Sequence, residues 1–138
     1  MIKNIMVAVD GSDNNKIAVD YAIDLAKKYG ASLTAVTVFD AAKNEGMNYQ
    51  KELVQETNDK NLAYAVTRAA EEKYPLSTKQ TFGNPAHCLL EISKDFDLII
   101  CGNLGRSGFA RLMLGSVSEK LVRFAKCPVY VARVKTDE

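Results

Sequence analysis

The sequence is poor in the residues that hold metals. It has one histidine, His87, and three cysteines, Cys88, Cys101 and Cys127, widely spaced and without a C-x-x-C pair. That argues against a zinc site, and reduced thiols whose burial explains them are the plain reading. An excess of charge of one sign is also lacking. The formal net charge is +1, so no basic field favours nucleic acid or an anionic membrane. No run approaches the ~20 apolar residues that a membrane-crossing helix needs. The opening run, Met1 to Val9, leads straight into Asp10 with no longer apolar region and no cleavage site. No secretory leader is expected, and the expected compartment is the cytoplasm.

What is present suits one domain spanning residues 1–138. The apolar share is 47% and the charged share 25%, enough for one sizeable core on a soluble surface. Strand and helix patterns alternate. Ile5 to Val9 is a continuously apolar run ending at Asp10-Gly11-Ser12, which predicts a strand buried on both faces. A helical stripe follows at Ala18, Tyr21, Ala22, Leu25, Ala26 and Tyr29, closed by Gly30. Leu33 to Phe39 reads as the second strand and Asp40 to Met47 as a polar loop. From about Tyr49 to Lys73 a long helix is expected. Its first half is polar, and its second half is periodic at Leu62, Ala65, Val66, Ala69 and Ala70 before Pro75 stops it. Ser77 to Phe82 is a less apolar strand, expected at an edge. Asn84-Pro85 opens a helix as cap and first residue, with Ala86, Leu89, Leu90 and Ser93 inward. Asp97 to Cys101 is the fourth strand. The last helix starts at Ser116 and carries Val117, Leu121, Val122 and Ala125. Pro128 to Ala132 is the final strand. The fold class is therefore α/β: a single-domain open parallel five-stranded sheet with helices on both faces, because the crossovers are right-handed.

Two loops stand out. In such sheets ligands bind beyond the carboxyl ends of the strands, where strand order reverses. The loop after the first strand offers Asp10-Gly11-Ser12. The loop after the fourth, from Gly102 to Gly115, holds four glycines. Glycines let the backbone approach a ligand closely and turn several N–H groups inward. Gly115-Ser116 then opens a helix, whose first N–H groups are unpaired and whose dipole is positive at that end. Arg106 and Arg111 lie within the loop as candidate phosphate neighbours, or as ordinary solvated charges. Blander readings stand beside these. Ser116 with Glu119 three residues on is a capping box, and Asp10 caps the turn that Gly11-Ser12 makes. His87 is expected on an exposed helix face. No G-x-x-x-x-G-K-[ST] phosphate loop and no G-x-G-x-x-G after the first strand are present.

The spacing Gly102-x-x-Gly105, nine residues, Gly115-Ser116 resembles the nucleotide motif G-x2-G-x9-G-[ST] of the universal stress protein family. The opening strand IMVAVDGS and the stretch from Val117-Ser118-Glu119-Lys120-Leu121 through Cys127-Pro128-Val129 are similar to the same family, so the likeness spans the whole chain. The resemblance implies strand order 3-2-1-4-5 and ATP as ligand; Mg²⁺ can accompany the phosphates, although no carboxylate pair of its own is evident. It implies Asp10 at the adenosine end and Val38 against the adenine. Gly102, Gly105, Gly115, Ser116 and Val117 would hold ribose and phosphates, with Ala8 and Val9 as nearby backbone and Ser118 at the phosphates. Cys101, Asn103 and Arg106 complete the candidate set. Asn103 and Leu104 depart from the hydroxyl and basic residues that the family often carries there. The resemblance further implies a homodimer through Val129 to Ala132.

The expected function is thus an ATP-binding regulatory or stress-response protein whose protein partners are unidentified. The alternatives are a weak ATPase or phosphotransferase, for which no general base is evident, and a nucleotide-free dimeric interaction module.

Overall fold

The computed structural model describes residues 1–42, 51–103 and 114–133. In chain order these form β1 (Asn4–Ala8), a single 3-10 turn (Asp13–Asn15), α1 (Lys16–Tyr29), β2 (Ser32–Asp40), α2 (Lys51–Glu71), β3 (Ser77–Gly83), α3 (Pro85–Ser93), β4 (Leu98–Gly102), α4 (Ser116–Phe124) and β5 (Val129–Ala132). The strands make one sheet in the order β3-β2-β1-β4-β5, and every pairing is parallel. The expected architecture and strand order are both found.

The period of two in a strand sorts the core into two layers. Ile5, Val7 and Val9 join Leu33, Ala35, Leu98 and Ile100 under α1 and α2. Met6 and Ala8 join Val36, Ile99 and Cys101 under α3 and α4. Because β1 is central and covered on both faces, its apolar run has no polar alternate positions. The edge strand β3 is nearly all exposed along its length, as its polar composition leads one to expect. Truncating a fully buried side chain such as Ile5 or Leu121 to alanine would cost roughly 2–5 kcal/mol.

Helix ends obey local chemistry. Gly30 adopts φ 64° and ψ 34°, and the amides of Gly30 and Ala31 return to Lys27 O and Ala26 O. Asn84 caps α3 by accepting from His87 N at 2.9 Å, with Pro85 first in the helix. His87 is exposed, as expected.

The helical stripes differ from expectation at their borders. Tyr29, Val66 and Val122 are 54%, 49% and 50% exposed, and Ala70 is exposed as well. Instead Val19 and Ile23 are buried in α1, Asn58 in α2, Ile92 in α3 and Ser118 in α4. Each helix meets one sheet and one neighbouring helix. The centre of each stripe is kept, with Ala18, Ala22 and Ala26, then Leu62, Ala65 and Ala69, buried as expected, and only its border is turned toward the neighbouring helix. The expected loop after Asp40 falls mostly outside the described residues, as does the charged tail from Lys135.

Candidate functional site

Where the strand order reverses, β1 and β4 part company. On one side β1 stays paired with β2 through Ala8 and Val36, and Val9 N donates to Val36 O at 2.9 Å. On the other side its pairing with β4 ends at Val7 and Ile100. Meanwhile β4 continues with β5 to Gly102 and Ala132. The gap opens into a crevice of about 670 Å³ at the carboxyl end of the sheet.

The described candidate residues converge there. Ala8, Val9 and Asp10 at the end of β1 line the crevice with Val38 of β2, with Cys101, Gly102 and Asn103 at the end of β4, and with Gly115, Ser116, Val117 and Ser118 at the start of α4. Gly105 and Arg106 lie outside the described residues, as do Leu104 and Arg111.

The loop after β1 is held by short-range hydrogen bonds. Asp10 Oδ1 accepts from Ser12 N at 2.9 Å and from Ser12 Oγ at 2.7 Å. This is the turn expected of an Asp-Gly-Ser sequence, and the second carboxylate oxygen has no share in those two bonds. Gly11 has φ +79°, and a Cβ there would lie 2.7 Å from Asn61 Oδ1. Glycine is needed at this position on both counts. At Gly102 the constraint is space alone: a Cβ would stand 3.3 Å from Asn14 O, a tight contact, so the 3-10 turn packs directly on the end of β4.

The start of α4 differs from the capping-box expectation. Gly115, at φ −70° and ψ 165°, is the cap and has no side chain to bond the helix start, and among the described residues no other side chain does so. Ser116 is the first helical residue, and Glu119 forms an ion pair with Arg123 at 3.0 Å instead of reaching back. Among the described residues the first-turn amides are therefore without a side-chain acceptor beside the crevice, where an anion would satisfy them. Ser118 Oγ donates to Gly102 O at 2.9 Å. Its proton ties the helix to β4.

The remainder of the lining is apolar on one flank and polar on the other. Val36, Val38, Pro85, Leu89 and Val117 form a surface suited to a flat ring, while Asp40, Thr57 and Asn61 contribute polar groups from β2 and α2. Cys101 belongs to the apolar part, and burial pushes its thiol up to about 11, so it is neutral at ordinary pH. Lysine and arginine are absent from the described lining. An anion among the described residues would be held by main chain and helix dipole rather than by a cationic side chain.

Sequence reasoning passed over Asn15, Asp40, Thr57, Asn61, Pro85 and Leu89. Pro85 and Leu89 were read only as helix start and core. Asn15 and Asn61 carry no spacing signal, because a polar residue in or beside a helix looks like a solvated one until tertiary contacts are known.

The chain matches the model of the universal stress protein family over residues 1–133. It is 32% identical over 141 residues to a universal stress protein of Methanocaldococcus jannaschii, covering 96% of this chain and 83% of that one. It is 34% identical over 148 residues to the universal stress protein YxiE of Bacillus subtilis, covering 96% and 100%. Among solved structures, a universal stress protein in complex with cAMP superposes with a TM-score of 0.75 at 27% identity, over 97% of this chain and 99% of that one.

Proposed function

The chain belongs to the universal stress protein family, and from that premise we propose that it binds ATP in the crevice between the loop after β1 and the start of α4, as a regulatory protein of the cytoplasm. The observation that carries the reading is the start of α4 at Gly115-Ser116, which has no side-chain acceptor among the described residues and opens on the same crevice as Asp10 and Gly102. The fit is chemical as well as spatial. A polyphosphate can take the first-turn amides that no side chain caps. The apolar flank of Val38, Pro85 and Leu89 suits a purine. Asp10, at the opposite wall from the helix start, offers a carboxylate to the adenosine end. Gly105 and Arg106 belong to this reading through the sequence motif. The solved relative that carries a cyclic nucleotide, cAMP, supports a nucleotide as the ligand class. Among the described residues no cluster of three His, Cys, Asp or Glu could hold a metal, so Mg²⁺ would arrive with the phosphates.

Regulation by this route needs a surface that responds. The edge strand β5 supplies an open row of backbone groups with Tyr130 37% exposed, which supports a homodimer formed through Val129 to Ala132.

The test is direct. Protein purified without added nucleotide is denatured and its supernatant analysed by mass spectrometry, and stripped protein is titrated with Mg-ATP by calorimetry. Carried-over adenine nucleotide and a saturable heat with a rise in melting temperature are expected. Neither heat nor upshift at millimolar Mg-ATP would overturn the proposal.

A further inference from the structure

Asn15 has an unusual place. It follows the exposed Asp13 and closes the 3-10 turn, yet it is only 9% exposed. Its Nδ2 donates to Ala8 O at 2.9 Å, and its Oδ1 accepts from Asp10 N at 3.1 Å. Those two main-chain groups point the same way along β1, opposite to Val9 N, which serves β2. They are the groups that β4 would have satisfied had its pairing run on past Val7 and Ile100. The carboxamide stands between the two strands where β4 no longer pairs with β1, with a donor for the carbonyl and an acceptor for the amide. The partners also dictate which end of the amide is which. A buried carbonyl and amide at a strand end need partners, and Asn15 supplies both without closing the sheet.

The same residue backs the other wall. A Cβ on Gly102 would lie 3.6 Å from Asn15 Cα and 3.8 Å from its Nδ2. One side chain therefore spaces the end of β1 from the end of β4.

We infer that Asn15 is a positioning residue for the nucleotide: by replacing the absent β4 pairing beside β1 it holds the crevice open and fixes the backbone of Asp10, so that the Asp10 carboxylate meets the ligand. The inference rests on the nucleotide reading above. Without the carboxamide, Ala8 O and Asp10 N would be left to water, and Asp10 would then sample several positions.

The experiment is a double-mutant cycle on the full chain with Mg-ATP as probe. Asn15→Ala is expected to weaken binding about tenfold when Asp10 is present, and to change it by less than roughly twofold in an Asp10→Ala background. Asn15→Asp, nearly the same shape, keeps the acceptor for Asp10 N but sets an oxygen against Ala8 O. It should lose at least as much, and it serves if the alanine variant melts early. In the nucleotide-free variants the Asp10 amide should exchange its hydrogen faster by NMR. Equal losses in both backgrounds would mean a wall that has merely collapsed and would overturn the inference, as would unchanged affinity or unchanged Asp10 exchange. An unmodified chain that binds no Mg-ATP would overturn the nucleotide reading itself, whatever the exchange rates do.

Discussion

Of the two walls of the crevice, the one after β1 is held by side chains and the one at the start of α4 by main chain. The first depends on Asp10 with Ser12, Asn15 with Ala8 and Asp10, and Asn61, which donates to Thr37 Oγ1 at 3.1 Å while crowding Gly11. The second has Gly115 as its cap and, among the described residues, no side chain on its first-turn amides. A side-chain wall can be retuned atom by atom, because an isosteric change removes one bond. A main-chain wall carries its donors whatever the sequence, and only bulk or helix loss can silence it. Specificity is therefore expected to reside after β1, and anion affinity at α4.

The largest expected effect tests the main-chain wall. Gly115 occupies backbone space open to any residue, so Gly115→Val adds bulk without backbone strain. Losing two or more charge-assisted bonds should weaken Mg-ATP binding roughly a hundredfold or more, with the circular dichroism spectrum of the free protein unchanged and its melting temperature lowered only by the poorer cap. Normal binding would remove α4 from the site. Gly11→Ala strikes the other wall through the fold. With φ +79° and Asn61 Oδ1 at 2.7 Å, it should cost about 1–3 kcal/mol of stability in urea unfolding. An unchanged midpoint would mean that α2 does not press on this loop.

Cys101 lies on the floor between the walls, and its thiol is raised to about 11 by burial. At pH 8 it should react with iodoacetamide far more slowly than the half-buried Cys88 and Cys127, as read by peptide mass spectrometry. Labelling of Cys101 first would mean that the crevice floor is open to solvent.

The smallest effect belongs to the opposite end of the sheet and sharpens the contrast. There Asp97 accepts from Lys3 N and Asn4 N at 2.9 and 2.8 Å, and those bonds hold its carboxyl below the usual range. A carboxyl depressed in the folded state adds stability above the unfolded value of about 3.9 and loses it as pH falls through the folded one. Asp97→Asn should flatten the acid side of the stability curve and leave Mg-ATP affinity at neutral pH untouched. A loss of affinity would mean that the two ends of the sheet are coupled.

Much of this was legible in the residues. The apolar run into Asp10, the αL position of Gly30 and the Asn84-Pro85 start are local signals, each with a local cause. The loop-to-loop crevice followed from parallel crossovers, and all the described candidates do line it. The missing parts were those whose cause is not local. Asn15 looks like any polar residue near a helix start until β1 and β4 separate above it. Val122 and Val66 satisfy helical periodicity, but the neighbouring helix moves the contact line past them. Ser116 and Glu119 satisfy the capping pattern, yet Gly115 takes the cap and Glu119 turns to Arg123.

The central place of β1 has a consequence for how the protein is made. Of the five strands of the sheet β1 is made first, and β2 follows soon enough to cover one flank. The other flank, Ile5 to Val7, waits for Leu98 to Ile100, so until residue 100 has been made the nascent sheet keeps its central apolar strand open on one side. A chaperone that masks that flank would protect the sheet while its non-local pairing is still to come.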